Sequence, residues 1–335
     1  MLKHEINIPE NLGEVKCKWN EISSLWGVSP TGPIHLGYDS QILMQKEGIK
    51  KGIKEHTIII ADLHTIMDKG HSMYDIKKRG FYFEFYLKEV CKIENTKFIF
   101  GSEFQTRPLY IEMMYSILPK LEWKHILEAM PSQMRRSRNY AASSTIYPVM
   151  QCLDVLYNKA NFIYADTGQR KIYNLLDAFS QIKPYAFYSR FQEILDTLHI
   201  AYYPLMHDIY GMRLVESTTN TRISVHDNEA TLKNKIMKMF APYGSNDTIK
   251  ANALLETYKY SVFPWLNDIG RSIRIDSRQY DKFQEFENDY IQQVFHPNDA
   301  KEELFKVLKI RLAHIQSTLY GGITNWIDLN KLNKQ

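Results

Sequence analysis

Three polar residues, Tyr147, Gln151 and Asp154, interrupt the apolar run IYPVMQCLDVLY at 146–157, at spacings of four and three. On a helix those spacings place them on one face. Such a face is either the outer side of an ordinary helix or the wall of a site. The remaining positions are apolar too, and a helix that is apolar all round is buried, so we take the polar stripe to point into a site.

A second stretch, LWGVSPTGPIHLGY at 25–38, has the composition of a buried strand end, a Gly/Pro turn and a small-residue helix start. The first turn of a helix leaves N–H groups unpaired and carries the positive end of the dipole, so phosphate oxygens are stabilised there. Gly32 and Gly37 remove side chains that would hold a ligand away from the backbone, and His35 adds a donor. A tight strand-to-helix connection with a satisfied histidine fits the same residues. Further along, Asp166 or Thr167 can cap a helix opened by DTGQRK, with Gln169 in its first turn. Arg135, Arg136 and Arg138 suit a solvated helix end or contact with a phosphate backbone.

These groups need a frame. The stretch 39–54 has helical apolar spacing at Ile42, Leu43 and Met44, and HTIIIAD at 56–62 reads as a buried parallel strand, which makes a strand–helix–strand unit. An amphipathic helix at 75–93, a third strand at 97–101 (KFIFG) and a helical stretch at 109–127, apart from Pro119, continue the alternation. It predicts an α/β protein with a Rossmann-like doubly wound parallel sheet, whose ligands bind beyond the strand carboxyl ends. Asp62, His64 and residues 102–105 would then line one crevice. The stretch 181–207 reads as aromatic and partly helical, 214–228 as loop, and 229–240 as a helix that APYG at 241–244 ends sharply. The expected division is an N-terminal arm at 1–22, the α/β domain at 23–244 and a mainly helical domain at 245–335.

Composition sets bounds on function. A chain of 335 residues, 44% hydrophobic and 24% charged, has room for one large or two ordinary soluble domains. A net charge of +4 permits a nucleic-acid partner without arguing for one. Cys17, Cys91 and Cys152 form no C-x-x-C pair and suggest neither a disulfide framework nor a zinc site. With no signal-like segment and no long apolar run, a cytoplasmic protein without a membrane partner is expected.

Taken together, the motifs resemble the tyrosyl-tRNA synthetases of the archaeal and eukaryotic type, a class I synthetase family. HLGY at 35–38 stands where the family usually has His-Ile/Leu-Gly-His. IIIADLH at 58–64, FGSEFQ at 100–105, IYPVMQCLD at 146–154 and GQRKI at 168–172 match in order and spacing. The likeness is good from about 25 to 172, resumes from about 203 to 244 and is faint from 247 to 315.

The resemblance implies a Rossmann-like catalytic domain followed by a helical anticodon-binding domain, usually as a homodimer. It implies an amino acid, ATP with Mg²⁺, and tRNA as partners. Tyr147, Gln151 and Gln169 would hold the α-amino group, and Asp154 would accept a hydrogen bond from the far end of the side chain, a phenol if the substrate is tyrosine. Leu25, Gly27, Ile59, Ala61 and His64 would shape the pocket, together with Phe104, Gln105 and Asn158. His35, with Gly32, Gly37 and Tyr38, would lie against ATP. Arg135, Arg136, Arg138 and Asp299, the last in an HPxD turn, would face tRNA.

Two departures from the family stand out. Family members carry a tyrosine at the position of Leu25, where it shares the substrate phenol with the aspartate. A site that pairs a buried hydroxyl only in part discriminates less against the analogue lacking it, a rule of which this family is itself a standard example. The family's lysine-rich mobile loop falls on LVESTT at 214–219, where both lysine positions are lost and Glu216 has arrived. Arg213 and Arg222 flank that loop as the available substitutes. The function expected is ATP-dependent activation of tyrosine or a tyrosine-like amino acid and its transfer to tRNA. Delivery to a non-tRNA acceptor, or non-catalytic binding of RNA or an amino acid, remain the other readings.

Overall fold

The computed structural model describes residues 5–7, 18–130, 141–180, 188–203, 205–212, 219–243 and 252–323. The chain divides into two compact units, the first comprising Met1–Thr31, Met44–Lys88 and Lys92–Pro204, the second Gly32–Leu43, Glu89–Cys91 and Leu205–Gln335. No helix among the described residues is long and apolar enough to cross a membrane.

In chain order the strands and helices are β1 (Glu5–Asn7), β2 (Ser23–Val28), α1 (Asp39–Lys50), β3 (Glu55–Ile60), α2 (Asp62–Lys69) and α3 (Met73–Phe85). There follow β4 (Thr96–Phe100), α4 (Gly101–Phe104), α5 (Pro108–Ile117), α6 (Trp123–Ala129), α7 (Ser143–Tyr157) and β5 (Phe162–Asp166). Next come α8 (Arg170–Tyr173), α9 (Leu175–Ser180), α10 (Tyr188–Thr197) and β6 (His199–Tyr203). The chain continues with α11 (Glu229–Met237), α12 (Ala253–Thr257), α13 (Phe263–Asp268), β7 (Ile273–Ile275), β8 (Arg278–Tyr280), α14 (Phe283–Ile291) and α15 (Pro297–Ile323).

The first unit is built on one six-stranded sheet in the order β1-β6-β5-β2-β3-β4, with every pair parallel. Its inner strands are buried along almost their whole length, β3 from His56 to Ile60 and β6 throughout, because helices cover both faces of a parallel sheet. Polar groups caught inside are paired: the Ser24 hydroxyl lies 2.8 Å from His56 Nδ1, and His56 Nε2 lies 2.9 Å from Gln45 Oε1. Strands β1 and β6 lie where the sequence pattern suggests an arm and a partly helical stretch, and β5 runs up to Asp166, where that pattern opens a helix.

The second unit is mainly helical. Its core holds a ring-packed cluster in which Phe286 contacts Tyr258, Phe263, Tyr280 and Phe295. The Tyr258 hydroxyl reaches the Ala300 carbonyl at the start of α15, at 2.7 Å. The antiparallel β7–β8 hairpin departs from the helical pattern expected after residue 247.

Packing of α3 on the sheet leaves no room at Gly80. A Cβ there would lie 2.5 Å from Phe100 Cε1 and 2.8 Å from Ile60 Cγ2, both on neighbouring strands. Gly80→Ala is therefore expected to destabilise the protein by about 1–3 kcal/mol, the usual cost of overpacking. Thermal unfolding checks it, and an unchanged midpoint would refute this close packing.

Candidate active site

The strand order reverses at β2, which has β3 and β4 on one side and β5 and β6 on the other. Pairing of β2 with β5 covers only Ser24–Phe162 and Leu25–Ile163, whereas β2 runs with β3 as far as Val28. Beyond Leu25 the carboxyl ends of β2 and β5 therefore part, at the switch point where α/β sheets place ligands. Gly27 sits just past that parting, and a Cβ on it would meet nothing within 4 Å.

The βα turns that follow β3 and β4 are locked to one another. Asp62, wholly buried at the start of α2, accepts from the Leu63 N–H at 2.9 Å, the Ser102 N–H at 2.8 Å and the Ser102 hydroxyl at 2.6 Å. This clamp fixes the first turn of α4 and with it Phe104 and Gln105. Gly101 is required at the clamp, since a Cβ would lie 2.6 Å from Gln105 Oε1 and 3.0 Å from Asp62 Oδ1.

Gln105 meets Asp154 from α7. Its Nε2 donates to both carboxylate oxygens at 2.9 Å, and the Tyr110 hydroxyl donates to Oδ1 at 2.8 Å. Tyr110 was not singled out from the sequence. It belongs to a buried stripe of α5 with Met113 and Ile117, and a phenol in such a stripe needs an acceptor, but its partner lies 44 residues away. Phe104 stacks on Tyr157 at 5.3 Å between ring centroids, with Tyr110 edge-on to both. Leu25, Ile59, Ala61 and Phe104 share one buried apolar cluster with Tyr110.

Burial dominates the electrostatics. It pushes the Asp154 carboxyl up to about 7, while the hydrogen bonds from Gln105 and Tyr110 pull the other way. Burial also raises the Tyr110 phenol, and the adjacent Asp154 charge adds to that. The His64 imidazole, in the first turn of α2, is brought down to about 4 by burial and is neutral at physiological pH. Its Nδ1 lies 3.4 Å from Gln105 Nε2 and its Nε2 lies 3.9 Å from Asp154 Oδ2.

The rest of the polar stripe is in place on α7. Tyr147 packs edge-on against His64, with 4.8 Å between ring centroids, and burial raises its phenol to about 12. Gln151 bonds to the Tyr173 hydroxyl, while its Oε1 is buried without a partner among the described residues. Gln169 ends the turn Thr167–Gln169, which Asp166 opens by accepting from the Gly168 N–H at 2.7 Å. Asn158 donates through Nδ2 to the Asp154 carbonyl at 2.8 Å and so closes α7.

The second unit holds the His35 corner. Leu36 N–H donates to the Ile223 carbonyl at 3.0 Å and Val225 N–H to the Ile34 carbonyl at 3.1 Å. The turn after them is held by Asp227, which accepts from the Ser224 N–H at 2.9 Å and from the buried Lys235 ammonium at 2.7 Å. This zipper sets Arg222 Nη1 2.6 Å from His35 Nε2. The Gly37 N–H donates to His35 Nδ1 at 3.1 Å, and the Tyr38 ring stacks on the imidazole at 4.6 Å. Burial first, then the charges of Arg222 and Lys235, hold the His35 imidazole well below its usual value. The Arg222 guanidinium has only protons to offer, so at 2.6 Å it donates to His35 Nε2, and the imidazole holds it in place beside the turn. His35, Gly37 and Arg222 line a cavity of about 30 Å³ with Met206, His207 and Asp208.

Asp299 is exposed at the start of α15, and its Oδ2 accepts from the His296 N–H at 3.2 Å. Gly32 opens the His35 turn and is half-buried. Arg135, Arg136, Arg138, Arg213 and most of the 214–219 loop lie outside the described residues.

A carboxyl raised to about 7 makes stability depend on pH. Between about pH 4 and pH 7 the unfolded chain has released this proton and the folded chain has kept it, so Asp154 lowers stability progressively as pH rises through that window. Asp154→Asn, which has no proton to release, is expected to gain in thermal midpoint over the native protein from pH 4 to pH 7, and no further above it. A difference that does not change with pH would contradict the raised carboxyl.

The family model for class I tRNA synthetases (W and Y) matches residues 18–313. A protein of Encephalitozoon cuniculi named "Probable tyrosine--tRNA ligase, cytoplasmic" is 26% identical over 317 residues, covering 90% of this chain and 90% of its own. The tyrosine–tRNA ligase of Haloarcula marismortui is 25% identical over 297 residues, covering 83% of this chain and 80% of its own. Among solved structures, the tyrosyl-tRNA synthetase of Archaeoglobus fulgidus complexed with L-tyrosine shares the fold, with a TM-score of 0.76, 23% identity and 90% of each chain covered. The chain belongs to the class I tRNA synthetases of the tryptophan and tyrosine group.

Proposed function

We propose that this protein activates tyrosine with ATP and transfers it to tRNA. The observation that carries the reading is the buried Asp154 carboxyl, held by Gln105 and Tyr110 within aromatic walls and on one helix face with Tyr147 and Gln151. A phenol donates to such a carboxylate. The names of the relatives agree with this reading.

Activation needs no protein nucleophile. The substrate carboxylate attacks the α-phosphate of ATP in line, pyrophosphate leaves, and the protein positions groups and neutralises charge. In this reading Tyr147, Gln151 and Gln169 hold the α-amino group, and Asp154 takes the phenol proton in a hydrogen bond. His35, Gly32, Gly37 and Tyr38 contact ATP, which arrives with Mg²⁺ as part of the substrate. Arg222, with Arg213, takes over charge neutralisation from the lysines missing at 214–219. The hydrogen bond that holds the Arg222 guanidinium beside His35 supports that assignment. The segment 245–335 serves as the anticodon-binding domain through Asp299, and Arg135, Arg136 and Arg138 contact the tRNA backbone. A homodimer working in the cytoplasm completes the proposal.

Tyrosine-dependent exchange of labelled pyrophosphate into ATP, followed by transfer of labelled tyrosine to tRNA, tests the reading. No exchange with any aromatic amino acid would overturn it, and exchange without transfer would point to a different acceptor. Arg222→Ala is expected to slow exchange at least about tenfold, as loss of one charge-stabilising donor does, while calorimetry shows tyrosine binding unchanged. An undiminished exchange rate would remove Arg222 from the reaction.

A further inference from the structure

The side-chain pocket holds a buried donor that none of the roles above uses. His64 is 3% exposed, and its Nε2 is buried with no hydrogen-bond partner among the described residues. The Gln105 amide fixes the tautomer. Its Nε2 is a donor that faces both the Asp154 carboxylate and His64 Nδ1, so Nδ1 accepts and the imidazole proton sits on Nε2. That N–H lies 3.9 Å from Asp154 Oδ2.

The two carboxylate oxygens are not equivalent. Oδ1 accepts from Tyr110 and Gln105, whereas among the described residues Oδ2 accepts from Gln105 alone, and it is Oδ2 that faces His64. A lone pair on Oδ2 and a proton on Nε2 are therefore presented side by side. A gap of 3.9 Å is too long for a direct bond, but a single oxygen about 2.8 Å from each atom bridges it, with an angle of about 90° at that oxygen. A phenol is such a group: it donates one proton and accepts one. Leu25, 3% exposed in the same apolar cluster as Tyr110, offers the phenol no bond.

We propose that His64 determines specificity for the aromatic side chain by donating through Nε2–H to the ring hydroxyl whose own proton is directed to Asp154 Oδ2. It supplies the second hydrogen bond that the residue at position 25 cannot. This inference rests on the tyrosine reading of the pocket and goes beyond it by assigning the donor. A ring without the hydroxyl leaves both His64 Nε2–H and Asp154 Oδ2 unpaired in a buried site, so phenylalanine is rejected by two polar groups.

The test is calorimetric binding of tyrosine and phenylalanine to the full-length native protein, His64→Leu and His64→Gln, with pyrophosphate exchange measured alongside. His64→Leu is expected to weaken tyrosine binding about 10- to 100-fold, the range of one buried hydrogen bond, and to strengthen phenylalanine binding, because no Nε2–H is then left unpaired beside the bare ring. His64→Gln, whose amide can place a donor near the same point, is expected to recover most of the preference. Equal loss for both amino acids, or no loss for tyrosine, overturns the proposal while leaving the activation reading intact if exchange persists. Tyrosine binding that depends on His64 without any exchange upholds this proposal and overturns the activation reading. Failure of the native protein to bind tyrosine overturns both.

Discussion

A carboxyl group taken out of water has to be held by donors or give up its charge, and Asp154 is where this protein meets that constraint. Its environment is mixed: burial moves it towards the neutral form, and Gln105 and Tyr110 move it back. Much of the first unit can be traced to that balance. Asp62 and Gly101 fix the turn that carries Gln105, and α5 presents Tyr110 from a buried stripe. Partial pairing of β2 with β5 leaves the switch point open beyond Leu25. The result is a hydrogen-bonded carboxyl in an apolar shell, the usual composition of a small-molecule site.

The second unit meets the same physics with the opposite sign of charge. Lys235 and Asp227 form a buried pair 2.7 Å apart, and the pair anchors the turn that follows Arg222. Arg222 is thereby set beside an imidazole that burial and two cations keep neutral. Backbone bonds on either side of His35 hold the segments in register, so the guanidinium is oriented by the fold. Such preorganisation is what makes fixed donors effective in phosphoryl chemistry.

Legibility of the sequence followed the range of the interactions. Strands β3 and β4 show plainly as HTIII and KFIF, because a parallel strand covered on both faces reads as a continuous apolar run. Strand β5 is masked by the helix-capping signal of Asp166 and Thr167, which begins as the strand ends. Strand β6, HIAYY, hides its burial behind a histidine and two tyrosines. The β7–β8 hairpin has strands of three residues and turns through Asp276 at a φ of 52° without a glycine, so neither pattern nor turn chemistry marks it. In the site, the stripe of Tyr147, Gln151 and Asp154 was legible because helical spacing is local. The Tyr110–Asp154 and Gln105–Asp154 bonds, and the neighbouring Nε2 of His64, span 40 residues or more and depend on how separate helices pack.

The account stands or falls on whether the buried carboxyl reads a ring hydroxyl during activation. Single-turnover reaction of the protein with α-labelled ATP and either tyrosine or phenylalanine, with the adenylate resolved directly, measures this. The structure leads us to expect tyrosyl-adenylate accumulating to the concentration of the protein, with phenylalanyl-adenylate forming far more slowly. Equal rates for the two amino acids, or no adenylate from either, would contradict it.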